Sequence, residues 1–286
     1  MSKLYKLLCL LLVLCTFLCG CGETATTETT QAPTTEAPTE APTEAPTEAP
    51  TEAPTLPPVT TEEALNQALE TELWITMEGD ITLTKEVLLQ NRMFNGGGYT
   101  LTGIPYVEDD ATTENAMVMT GGTLENLRIV GAYRCIGDNS NHPILQDVRI
   151  KNLYADSELI AMTFSKGNRT AGLYVEDSTL LGWTLVNKLR AAQFTNCTFG
   201  WGSNGKGGHF RAYVDATLIG CHFEGKTNSN GKYVPYNISF YSSTSGVTII
   251  LEDCYVGDTL ITEDNVNQLL KINSTDNYVV VQNTNH

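Results

Sequence analysis

The sequence predicts an all-β fold, a solenoid of short parallel strands closed at its N-terminal end by a helix. Three observations lead to this fold class. An irregular internal repeat occupies the chain beyond residue 60, apolar and polar residues alternate within each repeat, and one repeat position holds only Asn, Asp or Gly. A repeat of a few tens of residues with strand periodicity is typical of a solenoid whose turns stack on one another.

The repeat consists of six segments that align without gaps. Their first residues lie 21, 30, 19, 24 and 33 positions apart, which indicates repeats separated by loops of variable length. The segments are LENLRIVG from Leu124, LQDVRIKN from Leu145, VEDSTLLG from Val175, FTNCTFGW from Phe194, LIGCHFEG from Leu218 and LEDCYVGD from Leu251.

The positions of each segment predict a bend followed by a half-buried strand. The first and sixth positions are apolar and the fourth is apolar or small, while the fifth is mostly polar. The third position is Asn126, Asp147, Asp177, Asn196, Gly220 and Asp253. These residue types tolerate the left-handed backbone conformation best, so we interpret the aspartates as bend residues rather than paired catalytic carboxylates. Earlier strands are predicted at 116–119, 133–136, 159–164, 184–187, 210–214 and 238–242.

Two motifs resemble those of a known superfamily. The stretch Thr195-Asn196-Cys197-Thr198-Phe199 and the opening FNGGGYTLTG at 94–103 resemble the pectin-lyase-like right-handed parallel β-helix superfamily, over about residues 74–258. The resemblance implies a single-stranded right-handed parallel β-helix, and it makes polysaccharide cleavage a candidate activity. The catalytic motifs of that superfamily are incomplete. Asp109-Asp110 precedes the repeats, Gly208-His209-Phe210 lacks the second Gly of a Gly-His-Gly motif, and Arg-x-Lys is absent. The catalytic residues are therefore unknown.

Each end of the solenoid needs a cap that covers the core and the unpaired backbone. At the N-terminal end, Thr60 and Glu63 fit a capping box, and apolar residues follow at helical spacing. These apolar residues are Ala64, Leu65, Ala68, Leu69 and Leu73. At the other end, Asp264 is predicted to cap a short helix through Leu269, Leu270 and Ile272, before a last strand at 278–281.

Two segments precede this domain, which we assign to residues 61–286. Residues 1–20 resemble a bacterial lipoprotein signal peptide, because Lys3 and Lys6 precede an apolar run and Leu18-Cys19-Gly20-Cys21 resembles a lipobox. Cys21 is the predicted lipidated residue. Residues 21–60 contain TEAP repeated five times and are predicted to be a disordered, extended stalk. The expected location is the extracytoplasmic face of the bacterial cell membrane, with the lipid as the sole membrane contact.

The charge of the chain argues against nucleic acid as a partner. The formal net charge is −16, and residues 64–286 keep 24 acids and 15 bases, a net charge of −9. A metal site is not predicted, since His142, His209, His222 and His286 share no ligand spacing, and neither is a cofactor. We expect a monomer.

The cysteines of the domain are predicted to be free thiols. Cys197, Cys221 and Cys254 share the fourth repeat position, and parallel strands about 4.8 Å apart hold such side chains too far apart for a disulfide, whose Cβ atoms are about 3.8 Å apart. Together with Leu127 and Val148 they are expected to form one buried column.

A ligand-binding face is predicted on the strands that precede the bends. Aromatic residues and bases along a ladder are typical of a sugar-binding groove, although core packing and ordinary surface charge are the alternative interpretation. The residues are Trp183, Lys188, Arg190, Trp201, His209, Arg211 and Tyr241, with Tyr213 beside them.

Two functions are compatible with these observations. The preferred one is a non-catalytic surface lipoprotein that binds or displays an extracellular glycan or envelope polymer, with acidic polysaccharide as the expected partner. The alternative is a polysaccharide lyase or glycoside hydrolase. An outward cluster of acids with a base on adjacent strands would favour the enzyme, and insertions at 137–144, 165–172, 202–208 and 226–236 could supply it.

Overall fold

The computed structural model describes residues 58–105, 114–241, 243–274 and 276–284. The signal peptide, Cys21, most of the stalk, Asp109-Asp110 and His286 lie outside these residues. The described chain is mostly β, which confirms the all-β prediction. Its two helices are α1 (Glu62–Thr71) and α2 (Val266–Leu269). None of the described helices is long and apolar enough to cross a membrane.

The strands are short apart from β5 and β6, which continue through several bends. In chain order they are β1 (Trp74–Thr76), β2 (Ile81–Thr82), β3 (Val87–Asn95), β4 (Thr100–Thr102), β5 (Asn115–Gly137), β6 (Val148–Phe164), β7 (Gly172–Glu176), β8 (Thr179–Val186), β9 (Ala191–Thr195), β10 (Thr198–Gly200), β11 (His209–Ala212), β12 (Ala216–Ile219), β13 (His222–Phe223), β14 (Lys226–Thr227), β15 (Tyr233–Val234), β16 (Asn237–Phe240), β17 (Thr248–Glu252), β18 (Tyr255–Val256), β19 (Thr259–Leu260), β20 (Lys271–Asn273) and β21 (Tyr278–Gln282).

Successive segments of the chain pair in parallel, and we call each paired segment a rung. The register before the bend runs through Phe94, Leu124, Ile150, Val175, Phe194, Leu218, Leu251 and Val281, all of them buried. A second register after the bend joins Leu101, Ile129, Ala155, Leu180, Phe199, Phe223 and Val256. The pairs β14–β15 and β18–β19 are antiparallel.

A left-handed residue separates these two registers in every rung from β5 onward. The bend residues and their φ angles are Asn126 (53°), Asn152 (52°), Asp177 (50°), Asn196 (52°), Gly220 (59°) and Asp253 (49°). Their side chains also bond along the stack, where Asn152 Nδ2 donates to Asn126 Oδ1 at 2.9 Å and Asn126 Nδ2 donates to Asn95 Oδ1 at 3.2 Å. The Asn, Asp or Gly column therefore has the predicted structural role.

The predicted alignment of the second repeat is wrong by five residues. Ile150, not Leu145, lies opposite Leu124, so Asn152 occupies the bend that we assigned to Asp147. The side chain of Leu145 is 52% exposed. The error arises because residues 145–150 copy the Leu, Asp, Val and Ile positions of the motif while still belonging to the loop and the preceding strand.

The thiols are buried and free, as predicted for Cys135, Cys197, Cys221 and Cys254. Cys197, Cys221 and Cys254 lie at equivalent positions of three successive rungs, because the residues that follow them in the chain pair in register. Each thiol donates a hydrogen bond to a backbone carbonyl of the rung before it. Burial raises the pKa of the Cys135 and Cys221 thiols above the ordinary range. These cysteines therefore act as small apolar side chains.

The predicted buried column of Leu127, Val148 and the three cysteines is wrong at one position. Val148 is buried, but it pairs with Leu173 before the bend, and Leu153 lies opposite Leu127 instead. This correction follows from the same five-residue shift in the second repeat.

The two caps form close to their predicted positions. Thr61, rather than Thr60, is the N-cap of α1, and its Oγ1 accepts a hydrogen bond from Ala64 N at 3.1 Å. Leu65, Ala68 and Leu69 are buried, whereas Leu73 follows the end of the helix and is 76% exposed. The N-cap of α2 is Asn265, one residue after the predicted Asp264. Ile272 lies in β20, beyond α2.

Candidate ligand-binding cleft

Three of the predicted ligand-binding residues contact one another on neighbouring strands. Trp183 of β8 lies opposite His209 of β11, and their ring centroids are 5.6 Å apart in an edge-to-face arrangement. The guanidinium carbon of Arg211 lies 5.6 Å from the Trp183 ring centroid. Strand alternation brings His209 and Arg211 to the same outward side, with Phe210 between them in the core.

His209 is part of the packed structure rather than a free binding group. Only 9% of it is exposed, and its Nε2 is hydrogen-bonded to Ser239 Oγ. Burial, together with the positive charges of Arg211 and Lys271, lowers the pKa of His209 to about 4. The ring is therefore neutral near pH 7 and carries no charge that could attract an anion.

The remaining predicted residues lie in other places. Trp201 packs against Gly208 and has the Lys226 ammonium 3.9 Å from its ring centroid. Arg190 is paired with Asp147, whose Oδ1 lies 3.0 Å from Arg190 Nη2, and Tyr174 OH lies 3.2 Å away. Lys188 is exposed.

Tyr241 stacks on Tyr213 with 4.5 Å between ring centroids. Arg190 and Tyr213 line a separate groove of about 390 Å³ together with Arg169 and Asp215. The predicted face is therefore divided between separate places on the described surface.

Trp183 also lines a cleft of about 590 Å³ that includes residues not assigned from sequence. Glu86, just before β3, lies in its wall, as do Asn115 and Arg134 of β5. The loops after β5 and β6 supply Asp138 and Lys166. We call this site the Glu86–Trp183 cleft. In the sequence, this cleft was indicated by the insertions at 137–144 and 165–172, which carry Asp138 and Lys166.

Glu86 and Glu114 form an acidic end of the cleft. Glu86 Oε1 accepts a hydrogen bond from Asn139 Nδ2 at 2.7 Å, and Oε2 accepts one from Asn115 N at 3.3 Å. Burial raises the pKa of Glu86, and the negative charge of Glu114 adds to this effect. Two neighbouring carboxylates can bind cations, and they can also act as an acid and base pair.

Asp138 holds the two loops that form the wall. It is 4% exposed, and its carboxylate accepts hydrogen bonds from Ser165 N and Lys166 N at 2.7 Å each and from Ile144 N at 3.4 Å. Burial raises the pKa of Asp138, while these N–H donors oppose the shift. With its oxygens engaged by backbone donors, Asp138 is a structural residue of the cleft.

Arg134 forms a basic end of the cleft and has no acidic partner among the described residues. Within the part of the chain that the structure describes, no carboxylate oxygen lies within 4.0 Å of its guanidinium, and its buried Nε has no hydrogen-bond partner. Burial lowers the pKa of Arg134 from its ordinary value. Asn115 is 2% exposed, and its Oδ1 also has no partner among the described residues. Buried polar groups are normally paired, so these two atoms cost stability, as do the buried atoms of Trp201, Arg211 and Tyr236, outside the cleft, that also lack a partner within the described chain.

The cleft has the chemistry of a polar-ligand site with an apolar side. Trp183, Ile160 and Leu185 provide apolar surface, while carboxylates, amides and a guanidinium provide hydrogen-bonding groups. Among the described residues there is no group of three or more His, Cys, Asp or Glu that could hold a metal ion.

The chain was compared with protein-family models, with curated proteins and with solved structures. These comparisons found no match. What can be concluded about its function therefore depends on the residues of the cleft and on the sequence pattern.

Proposed function

We propose that this chain is a lipid-anchored cell-surface protein whose domain is a single-stranded right-handed parallel β-helix that binds an extracellular glycan in the Glu86–Trp183 cleft. The observation that carries the proposal is the cleft itself. Its volume of about 590 Å³ suits a short oligosaccharide, and it combines one indole ring with carboxylate, amide and guanidinium groups. Sugars present both apolar ring faces and hydroxyl groups, and this combination of side chains complements both.

The β-helix part of the proposal is supported by the parallel registers and by the repeated left-handed bend. Each rung returns to pair in parallel with the rung before it, and a connection between parallel strands of one sheet is right-handed in about 98% of cases. Rungs repeat about every 4.8 Å, which is close to the length of one sugar unit. A polymer lying along the stack would therefore meet one rung with each of its units.

The location is proposed from the sequence of residues 1–60. A lipid on Cys21 and a proline-rich stalk would hold the domain outside the bilayer, where envelope or extracellular glycans are available. Replacing Cys21 by Ser should move the protein from the membrane fraction to the medium. If the Cys21→Ser variant stays in salt-washed membranes, the anchor is not at Cys21.

The binding function is tested with the full chain on a glycan array, followed by titration of the glycans that bind. Trp183→Ala should weaken binding at least tenfold, because the indole is the aromatic surface of the cleft. Trp74→Ala is the matched control, since Trp74 is 60% exposed and lies outside the cleft. Absence of any glycan ligand, or an equal loss in both variants, would overturn the proposal.

Polysaccharide cleavage is a second candidate, and the pair Glu86 and Glu114 favours it. The pKa of Glu86 is raised, and a pair of carboxyl groups, one of them with a raised pKa, is the arrangement that glycoside hydrolysis uses. The test is an assay for new reducing ends and for unsaturated products with each glycan that binds. Products that disappear in the Glu114→Gln variant would establish the enzyme, and unchanged substrate would leave binding as the function.

A further inference from the structure

The Glu86–Trp183 cleft carries unlike charges at separate places, and these charges do not neutralise each other. The ion pairs of the described residues join Lys151 to Glu176 and Asp177, and Arg190 to Asp147, all outside the cleft. Glu86 and Glu114 interact with each other as like charges, while Arg134 has no carboxylate of the described residues within ion-pair distance. A charge withdrawn from water without a partner costs free energy. Glu86 and Arg134 are partly buried, so a ligand that pairs both would gain binding energy from both, whereas Glu114 is exposed.

The acidic end offers acceptors in the number that an ammonium group requires. An ammonium has three N–H donors and no acceptor. The cleft presents two carboxylates, of Glu86 and Glu114, and buried behind them is the side-chain oxygen of Asn115, which lacks a donor within the described chain. A hydroxyl group has one donor and would leave like charges side by side without neutralising them.

The basic end requires an anion at a defined distance from the aromatic ring. Arg134 lies opposite Ile160, and Ile160 lies opposite Trp183, so the guanidinium and the indole project from positions two rungs apart. Two rungs span about 10 Å, close to two sugar units. An oxyanion on one sugar unit could therefore pair with Arg134 while a neighbouring unit packs on Trp183.

We propose that the cleft selects a zwitterionic glycan, one that carries free amino groups as well as carboxylates, with the ammonium at Glu86 and Glu114 and the carboxylate at Arg134. This inference rests on the proposed glycan-binding function and specifies its ligand class. A glycan with carboxylates alone is repelled by Glu86 and Glu114. A glycan with amines alone leaves Arg134 unpaired and is repelled by it.

The test compares four tetrasaccharides that differ in charge, by calorimetric titration of the purified full chain. Fully de-N-acetylated hyaluronan carries amines and carboxylates, hyaluronan carries carboxylates, chitosan carries amines, and cellotetraose carries neither. We expect the zwitterionic probe to bind at least tenfold more tightly than each of the others, and this preference to vanish when its amines are re-acetylated.

Two substitutions assign the ends of the ligand. Glu114→Gln should lower affinity for the zwitterionic probe about tenfold and bring it close to that of hyaluronan. Arg134→Met should bring it close to that of chitosan. Arg190→Met is the matched control, because Arg190 is paired with Asp147 outside the cleft, and it should leave all four affinities unchanged.

The outcomes separate this inference from the function on which it rests. Equal or tighter binding of hyaluronan, chitosan or cellotetraose would overturn the zwitterionic preference and leave glycan binding intact. The same holds if none of the four probes binds while the array yields another glycan. Failure of every glycan on the array would overturn both.

Discussion

The aromatic core and the Glu86–Trp183 cleft are formed by the same stack of strands, yet their side chains are satisfied to very different degrees. The aromatic core consists of Phe194, Phe199, Phe210 and Phe223, all fully buried and in contact through their rings. The cleft contains a guanidinium without a carboxylate and an amide oxygen without a donor, within the described residues. The core side chains stabilise the fold, whereas the unpaired groups of the cleft cost stability, as is common for functional sites.

The largest expected effect tests the core side of this comparison. Phe199 contacts the rings of Phe194, Phe210 and Phe223 at centroid distances of 5.4, 5.6 and 5.4 Å. Phe199→Ala should lower the free energy of unfolding by about 3 to 5 kcal/mol, because it leaves a cavity that rigid neighbours cannot fill. The measurement is urea-induced unfolding of the purified chain. A loss below about 1 kcal/mol would show that the rings are not packed as described.

The next effect depends on pH and arises at the boundary between core and cleft. The pKa of His209 is lowered in the folded protein from 6.5 to about 4, so the unfolded chain takes up the proton first as the pH falls. This contribution to stability is complete above about pH 6.5 and is lost toward pH 4, by about 3 kcal/mol in all. Unfolding of wild type and His209→Asn across this range isolates it. Parallel pH profiles for the two proteins would contradict the prediction.

A smaller loss of unfolding free energy is expected from substitutions at the bends. The polar groups of the bends are paired, so they provide a contrast to the unpaired groups of the cleft. Asn196 has a φ of 52°, and its Nδ2 donates to Asp177 Oδ1 at 3.3 Å. Asn196→Ala should cost about 1 to 2 kcal/mol of unfolding free energy, since an Ala side chain disfavours the left-handed region. Asn196→Gly should cost less, because Gly adopts this conformation freely. A larger loss for Gly than for Ala would mean that the conformation is not what the bend requires.

The smallest expected effect is a gain in stability, and it tests the statement that the cleft is not optimised for stability. Arg134→Met should raise the free energy of unfolding by about 1 kcal/mol, because it removes a half-buried charge and keeps an apolar stem of similar length. Thermal and urea unfolding of the two proteins, without ligand, provide the measurement. Clear destabilisation would show that Arg134 contributes to the fold, and the contrast with the aromatic core would then fail.

The sequence pattern predicted the strands and bends well wherever a residue type has a single structural use. Asn126, Asp177, Asn196, Gly220 and Asp253 were all placed at bends, and the free cysteines were placed in the core. The alignment of the second repeat was wrong because Asp147 and Asn152 both fit the motif, and a sequence pattern alone does not choose between two strand registers. In the structure, Asp147 instead accepts a hydrogen bond from Gly172 N at 2.7 Å and pairs with Arg190.

The candidate site was predictable only in part. Trp183 was selected from sequence because it belongs to a set of aromatic and basic residues on consecutive predicted strands. Glu86, Asn115 and Arg134 carry no such signal, since acids, amides and bases at outward positions are usually solvated. Their importance is visible only in the structure, where Asn115 Oδ1 and Arg134 Nε have no partner among the described residues and Glu86 lines the same cleft.

The sequence by itself determined the all-β class, the bend positions of most rungs and the buried column of thiols, because burial and backbone conformation restrict which residue types are allowed at each repeat position. The tertiary structure decided which outward side chains share a cleft. The residue type at outward positions follows no periodic restriction, and loops of unequal length vary the sequence spacing between residues of neighbouring rungs. Glu86 and Trp183 therefore come to line one cavity although 97 positions separate them in the chain.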